Sequence, residues 1–184
     1  STPIKSSAAS DVYKRQDLGR ATMSLVLPDL IDIDINKYTE ELENLYRIYL
    51  DELYIPQIEI LGKPITCRQN PEDAGKHECF WHLITEGDPE RTPDFNRIRR
   101  LHWCAYVLLH YTDREIVCWE KECTTHKGKQ RRIFFWLPNE KYYVILGENR
   151  AKTSFELITA YCVSYYGTLR CIQRDMSSCP DPRF

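Results

Sequence analysis

Four segments in the C-terminal half constrain the fold most strongly, because each is dense in β-branched and aromatic residues. They read REIVCWE, RRIFFWL, KYYVILG and ELITAYCVSY, and short turn-like stretches (THKGKQ, PNEK and GENRAK) separate them. Strands joined by such short connections usually pair antiparallel with their neighbours. The sequence therefore predicts a four-stranded antiparallel sheet in this half of the chain.

The segments that precede this sheet are predicted to be helical. Apolar residues between Tyr38 and Leu53 fall on one helical face, and Asn36 can serve as the N-cap. A second helix is expected after Thr92, another suitable N-cap, with a proline in the first helical position. The predicted fold class is thus α+β, with N-terminal helices packed on the four-stranded antiparallel sheet.

Both ends of the chain are expected to lie outside a single domain of residues 23–175. Residues 1–22 are rich in serine, and SSAASDVYKRQ resembles the conceptual translation of a sequencing-adapter remnant. Met23 would be a sensible native start, and a genuine flexible basic tail is the alternative. Residues 176–184 are expected to fray.

Composition narrows the function classes. The formal net charge is −2, so the whole molecule has no attraction to nucleic acid and any basic site must be local. No apolar run is long enough to span a bilayer, and no glycine-rich phosphate loop or other cofactor motif is present. The eight cysteines lie singly among aromatic and β-branched residues, which is typical of reduced, buried thiols in a cytoplasmic protein. We therefore expect a cytoplasmic protein without a cofactor and without a membrane partner.

One metal site is conceivable from spacing. Cys118, Cys123 and His126 form a C-x4-C-x2-H pattern, and thiolates with an imidazole can bind zinc. However, Cys118 lies in a predicted strand and no second pair accompanies the cluster. The expectation is that no metal is bound, and zinc stays an alternative.

The groups that could cleave a phosphodiester without a metal are dispersed along the chain. His82 lies inside the apolar run FWHLITEG, where it is either a satisfied core residue or a base held in a dry pocket. An imidazole titrates near neutral pH and can remove a proton from a 2′-hydroxyl, while guanidiniums bind phosphate. Hydroxyls can orient the phosphate or support a proton transfer. The candidates are His82, the arginines of NRIRR (Arg97, Arg99 and Arg100), the basic run KGKQRR, and the strand pair Thr159 and Tyr161.

The combination of these segments resembles a known family. GKHECFWHLITEG, NRIRRLHW, WLPNEKYYVIL and ELITAYCV together are similar to the phage-encoded members of the barnase–EndoU–colicin–RelE-like nuclease superfamily, over about residues 25–170. The resemblance implies a helical N-terminal part on a four-stranded antiparallel sheet, with RNA bound across the sheet face. It also implies metal-independent cleavage by the 2′-hydroxyl, which leaves a 2′,3′-cyclic phosphate.

The resemblance also implies roles for individual residues. His82 would be the general base, and arginines before the tryptophan would hold phosphate. Arg131 or Arg132 would be the basic residue that opens the central strand, and strand register decides between them and Lys129. The implied catalytic residues are His82, Arg97, Arg100, Arg131, Thr159 and Tyr161, and the expected substrate-binding residues are Lys129, Arg132, Trp103 and Trp136.

The leading interpretation is a metal-independent endoribonuclease that acts as a toxin or as an effector in phage conflict. Its partners would be RNA of unknown class and an antitoxin or immunity protein that restrains it. The alternative is a module of the same fold that binds RNA or a translation component by stacking and phosphate contacts without cutting it.

Overall fold

The computed structural model describes residues 25–87, 90–126 and 128–179. The leader expected at residues 1–22 and the last five residues of the expected tail lie outside the described residues. Within them, no helix combines the length and the apolar character needed to cross a bilayer.

A six-stranded mixed sheet forms the centre of the molecule, in the order β1-β2-β8-β7-β6-β5. Its strands are β1 (Glu59–Ile60), β2 (Lys63–Thr66), β5 (Val117–Thr125), β6 (Gly128–Leu137), β7 (Tyr142–Glu148) and β8 (Phe155–Cys162). A separate two-stranded sheet pairs β3 (Thr85–Glu86) with β4 (Thr92–Pro93).

Five α-helices accompany the sheets in the described part of the chain, and they are not confined to the N-terminal half. They are α1 (Tyr38–Tyr49), α2 (Glu78–Ile84), α3 (Phe95–Ile98), α4 (Leu101–Leu109) and α5 (Tyr166–Ser178). A 3₁₀ turn (Ile35–Lys37) precedes α1 and a π-helical turn (Leu50–Tyr54) follows it. Aspartates supply the side-chain caps: Asp34 accepts from the backbone of Asn36 before the 3₁₀ turn, and Asp94 caps α3.

The predicted architecture of N-terminal helices on a four-stranded antiparallel sheet is wrong. The four segments expected to be strands do form β5 to β8, but β2 adds to β8 in parallel through the pairs Ile65↔Phe155 and Thr66↔Glu156. The sheet is therefore mixed and has six strands. The helix α5 contradicts the prediction as well, because it follows the last strand and packs on the sheet.

One face of the sheet, which we call the inner face, packs against the helices that precede β5. Side chains of Ile133, Phe135, Val144 and Leu157 point to this side and are at most 3% exposed. They join buried residues of α1, α2 and α4 in one continuous apolar cluster. Burial of this cluster is the main stabilising contribution to the fold.

The opposite face, which we call the outer face, is covered by α5 at one end. The rings of Trp119, Phe134 and Tyr143 stack there with centroids 5.3 to 5.9 Å apart. Ile172 of α5 is 3% exposed and packs against them. Met176, which falls in the stretch expected to fray, is in α5 and packs there too. Part of the sheet face that the resemblance assigns to RNA is consequently occupied by the protein itself.

Replacing the residue that anchors α5 tests this arrangement. We expect Ile172→Ala to lower the free energy of unfolding by about 2–5 kcal/mol, because it removes buried methyl groups and leaves a cavity. Gln173→Ala, an exposed neighbour on the same helix, should change it by less than about 0.5 kcal/mol. Urea denaturation of both variants measures the difference, and equal stability of the two would contradict the docking of α5.

Candidate functional site

His82 lies on α2 and points to the surface rather than into the core. Its side chain is 51% exposed, while its neighbours Phe80, Leu83 and Ile84 are at most 2% exposed. The apolar run thus anchors the helix through its buried side and presents the imidazole on the other. Gly87 ends the run with φ +92°, and a Cβ at this position would lie 2.2 Å from the carbonyl oxygen of Glu90.

A buried carboxylate holds the imidazole. Glu78 is one helical turn before His82, and its Oε1 lies 3.1 Å from His82 Nε2. The same oxygen is 2.5 Å from Nη2 of Arg91, which pairs the carboxylate with a full positive charge. The glutamate is 7% exposed and therefore needs these partners. When His82 Nε2 carries the proton donated to Glu78, Nδ1 keeps the lone pair that a base requires.

The surroundings lower the pKa of His82 below its usual 6.5. Burial of the inner part of the ring is the largest cause, and the cations Arg91, Arg68 and Arg97 act in the same direction. Glu78 opposes them, but it does not reverse the shift. His82 is therefore a neutral imidazole at pH 7, in a site that contains three guanidiniums.

Arg97 connects this helix with the last strand of the sheet. Its Nη1 donates to the backbone carbonyl of His82 at 2.9 Å, and its Nε lies 3.2 Å from Asp94 Oδ2. The guanidinium carbon is 5.3 Å from the ring centroid of Tyr161. Burial raises the pKa of the Tyr161 phenol, although Arg97 lowers it, so the phenol stays protonated at neutral pH. Arg97 thus contacts the backbone of His82 on one side and the ring of Tyr161 on the other, and these three residues come from distant segments.

A β-bulge determines which face Thr159 and Tyr161 occupy. The register between β7 and β8 shifts at Ile145/Leu146, so that Thr159 pairs with Ile145 and Tyr161 with Tyr143. Without the shift both side chains would follow Leu157 onto the inner face. The bulge turns them to the outer face, which carries Arg132 further along the sheet.

Strand register also separates the basic residues of β6. Arg131 is on the inner side, where Nε donates to Glu120 at 2.9 Å and Nη1 lies 3.4 Å from Glu148. Lys129 pairs with Glu122 at 2.7 Å. Arg132 is on the outer face, and its Nε donates to the amide oxygen of Gln130 at 3.0 Å. Among the described residues, Arg132 has no carboxylate partner. Of these three basic residues, it is therefore the one whose positive charge is available to bind a ligand.

Three other predicted site residues lie elsewhere. The guanidinium of Arg100 is 5.0 Å from the Trp103 ring, and its Nη1 donates to the carbonyl of Asn96. Trp103 is 5% exposed and donates its indole N–H to the carbonyl of Pro28. Trp136 is 6% exposed and belongs to the cluster under α5. Neither tryptophan has a free ring face on which a base could stack.

A cleft of about 1110 Å³ opens where the β5–β6 hairpin and the β7–β8 loop end, and we call it the hairpin cleft. Seven basic and four acidic side chains line it, which makes it locally positive in a protein of net charge −2. The basic residues are Arg68, Lys121, Lys129, Arg131, Arg132, Arg150 and Lys152, and the acidic ones are Glu120, Glu122, Glu148 and Glu156.

The spacing that allowed a zinc site does not produce one in the described part of the chain. Cys118 pairs with Phe135 on the inner side, and its thiol is 3.4 Å from the carbonyl of Tyr111. Cys123 is five residues further along the same strand and joins the outer-face cluster. No group of three or more metal-ligating side chains converges anywhere among the described residues.

Comparison with known proteins leaves the site to be judged on its own geometry. A scan against protein-family models, a search of curated proteins and a search of solved structures each find no match to this chain.

Sequence reasoning missed three residues of this site, namely Glu78, Arg91 and Arg68. The Glu78–His82 spacing of four residues was a usable signal, because it places both on one helical face once the segment is taken as a helix. Arg68 and Arg91 lie in irregular segments between elements, where no periodicity indicates the direction of a side chain.

The role of Glu78 can be measured directly. In Glu78→Gln the pKa of His82 should fall further, because the mutation removes the one nearby charge that raises it. Titration of the imidazole ¹³C–¹H signals by NMR gives the value, and an unchanged or higher pKa in the variant would contradict the contact. The pKa of His82 also makes the free energy of unfolding depend on pH, because this pKa is lower in the folded protein than in the unfolded chain.

The free energy of unfolding should therefore be highest above pH 6.5 and should decline as the pH falls through the pKa of His82 in the folded protein. His82→Gln should abolish this part of the decline.

Proposed function

We propose that this protein is a metal-independent endoribonuclease in which His82 is the general base. In this reaction His82 Nδ1 removes the proton of a 2′-hydroxyl, and the resulting oxygen attacks the adjacent phosphorus. The bond to the 5′-oxygen of the next nucleotide breaks, and this oxygen takes up a proton from a neighbouring acid or from water. The products are a 2′,3′-cyclic phosphate and a new 5′-hydroxyl, and His82 then releases its proton to solvent. The observation that supports this most is an exposed imidazole, fixed by the buried Glu78 and lying among three arginines.

The electrostatics of the site suit this chemistry. A base must be unprotonated before it acts, and the lowered pKa of His82 supplies the neutral form at pH 7. The phosphate gains negative charge in the transition state, and Arg97, which shares its charge with Asp94, can stabilise part of it beside His82. Arg68 is engaged by Glu156 and acts mainly by its positive field at the imidazole. Arg91 is engaged by Glu78 and contributes mainly by holding that carboxylate.

Tyr161 supplies a proton donor to the same site. Its phenol stays protonated and lies beside Arg97, so it can donate a hydrogen bond to a phosphate oxygen or to the leaving 5′-oxygen. Thr159 lies two residues earlier on the outer face and can help orient the phosphate. Arg132 and Lys129 belong to the neighbouring hairpin cleft and are assigned to substrate binding.

The biological setting follows from the resemblance and from the chemistry. An endoribonuclease in the cytoplasm would damage its own cell, so we propose a toxin or phage-conflict role with a protein inhibitor as partner. The resemblance to phage-encoded nucleases of the barnase–EndoU–colicin–RelE-like superfamily is the argument for this setting. A purely RNA-binding module is less well supported, since Trp103 and Trp136 are buried and cannot stack on bases.

Cleavage in a chelator tests the proposal. The wild-type protein should cut RNA in EDTA and release products that end in 2′,3′-cyclic phosphate, which mass spectrometry identifies. His82→Ala should be slower by about 10²–10⁴-fold, the usual contribution of a general base. His110→Ala, which removes an exposed histidine at the end of α4, is the matched control and should keep full activity.

Three outcomes would contradict the proposal. Loss of cutting in EDTA would indicate a metal-dependent reaction. Equal rates for His82→Ala and the wild type would remove His82 from the chemistry. Tight RNA binding without any cleavage would favour the binding module.

The pH dependence of the rate gives an independent test. The rate should rise with pH while His82 loses its proton, and the midpoint of this rise should lie below pH 6.5, because the surroundings lower the pKa of His82. Arg68→Gln removes a cation that lowers this pKa, so the rising limb should move to higher pH. A profile that is flat from acid to alkaline pH, with chemistry rate-limiting, would exclude His82 as the base.

A further inference from the structure

The hairpin cleft has more positive charge than its own carboxylates neutralise. Lys129 pairs with Glu122, Arg131 with Glu120, Arg68 with Glu156, and Lys121 with Asp175 of α5. These pairs leave three cations of the lining without a carboxylate among the described residues. They are Arg132 on β6, with Arg150 and Lys152 in the β7–β8 loop.

The loop that carries two of these cations has a defined shape. Asn149 Oδ1 accepts from the backbone nitrogens of Thr153 and Ser154, and its carbonyl accepts from the nitrogen of Lys152. Arg150 and Lys152 are exposed on this turn. Their charges are consequently presented in a fixed place at the rim of the cleft rather than on an irregular loop.

The cleft adjoins the site around His82. Arg68 lines the cleft, while its backbone carbonyl accepts from the nitrogen of Cys79 at 2.9 Å, at the start of the helix that bears His82. Strand β8 links the two regions as well, because Tyr161 lies beside Arg97 and Glu156 lines the cleft. Five residues of extended strand separate Tyr161 from Glu156, or roughly 16 Å. A ligand that reaches from one region to the other must carry several consecutive phosphates.

We propose that the hairpin cleft binds the sugar–phosphate backbone of a single nucleic-acid strand that continues from the bond beside His82, without reading its bases. No tryptophan, tyrosine or phenylalanine is among the described residues that line the cleft, and among them only His126 carries an aromatic ring, so the cleft offers little surface for stacking on bases. The cleft can contact a ligand through guanidinium and ammonium groups, which bind phosphate irrespective of the base sequence. That this strand is RNA rests on the proposed function. Because the strand spans both regions, the substrate is an oligonucleotide rather than a dinucleotide.

Binding of a strand that cannot be cut separates this inference from catalysis. Single-stranded oligodeoxynucleotides lack the 2′-hydroxyl, so labelled dT12 and dA12 report binding alone when their fluorescence anisotropy is followed over a range of salt concentrations. Both should bind to the wild type with similar affinity. Arg150→Gln/Lys152→Gln should bind them more weakly, and the slope of log affinity against log salt should fall by about 0.7 for each lost phosphate contact.

The matched control removes two exposed arginines that line neither region. Arg47→Gln/Arg114→Gln changes the net charge by the same amount and should leave affinity and salt slope at the wild-type values. Equal slopes for the cleft variant and the wild type would overturn the inference, as would absence of binding to the wild type at low salt. A strong preference between dT12 and dA12 would overturn the claim that bases are not read. If the cleft variant loses binding while the wild type cuts no RNA, the cleft assignment stands and the nuclease proposal fails.

Discussion

The candidate site depends on one carboxylate, that of Glu78. A glutamate that is only 7% exposed is costly unless cations replace its lost hydration, and Arg91 and His82 do so from two directions. Breaking a fully buried ion pair costs about 3–5 kcal/mol, and the partial exposure of Arg91 reduces that cost here. The carboxylate therefore fixes the orientation of the imidazole as a consequence of its own burial. The apolar residues on the other side of α2 hold the helix against the core, so the imidazole is positioned by a rigid element.

The way in which helices cover the sheet determines where a ligand could bind. The inner face is filled by α1, α2 and α4, and α5 closes one end of the outer face. The far end of the sheet stays open as the hairpin cleft, which is lined by residues of both faces, and the edge of β8 beyond its short pairing with β2 contacts α2 and α3. The site around His82 and the hairpin cleft thus both lie along β8. The bulge at Ile145/Leu146 is what turns Thr159 and Tyr161 toward this side.

Part of this arrangement could be predicted from the sequence, because it depends on local patterns. Alternating and aromatic-rich segments with short turns predicted β5 to β8. Of the scattered residues expected to share a site, Arg97 contacts the backbone of His82 and the ring of Tyr161. The parallel pairing of β2 with β8 had no local signal, since Ile65 and Phe155 are 90 residues apart and β2 has only four residues. The bulge likewise depends on the pairing of two strands and not on either segment alone.

For Trp136 and for helix α5, the sequence contained signals that favoured the observed structure over the one predicted. The unbroken run IFFWL in β6 is typical of a strand buried on both faces, which is incompatible with an exposed Trp136. Leu169, Ile172 and Met176 recur at helical spacing and form the face of α5 that makes this burial possible. Arg131 and Arg132 could not be distinguished without the register, because neighbouring residues of a strand point to opposite faces.

The proposed arrangement of His82, Arg97 and Tyr161 around a reacting phosphate can be tested by a crystal structure with a short RNA that is 2′-O-methylated at every nucleotide. The methyl group blocks the attacking oxygen, so the bound strand stays intact. We expect a phosphate in contact with the Arg97 guanidinium, with the 2′-oxygen of the preceding nucleotide facing Nδ1 of His82. A strand bound elsewhere on the protein, with the imidazole facing no ribose, would contradict it.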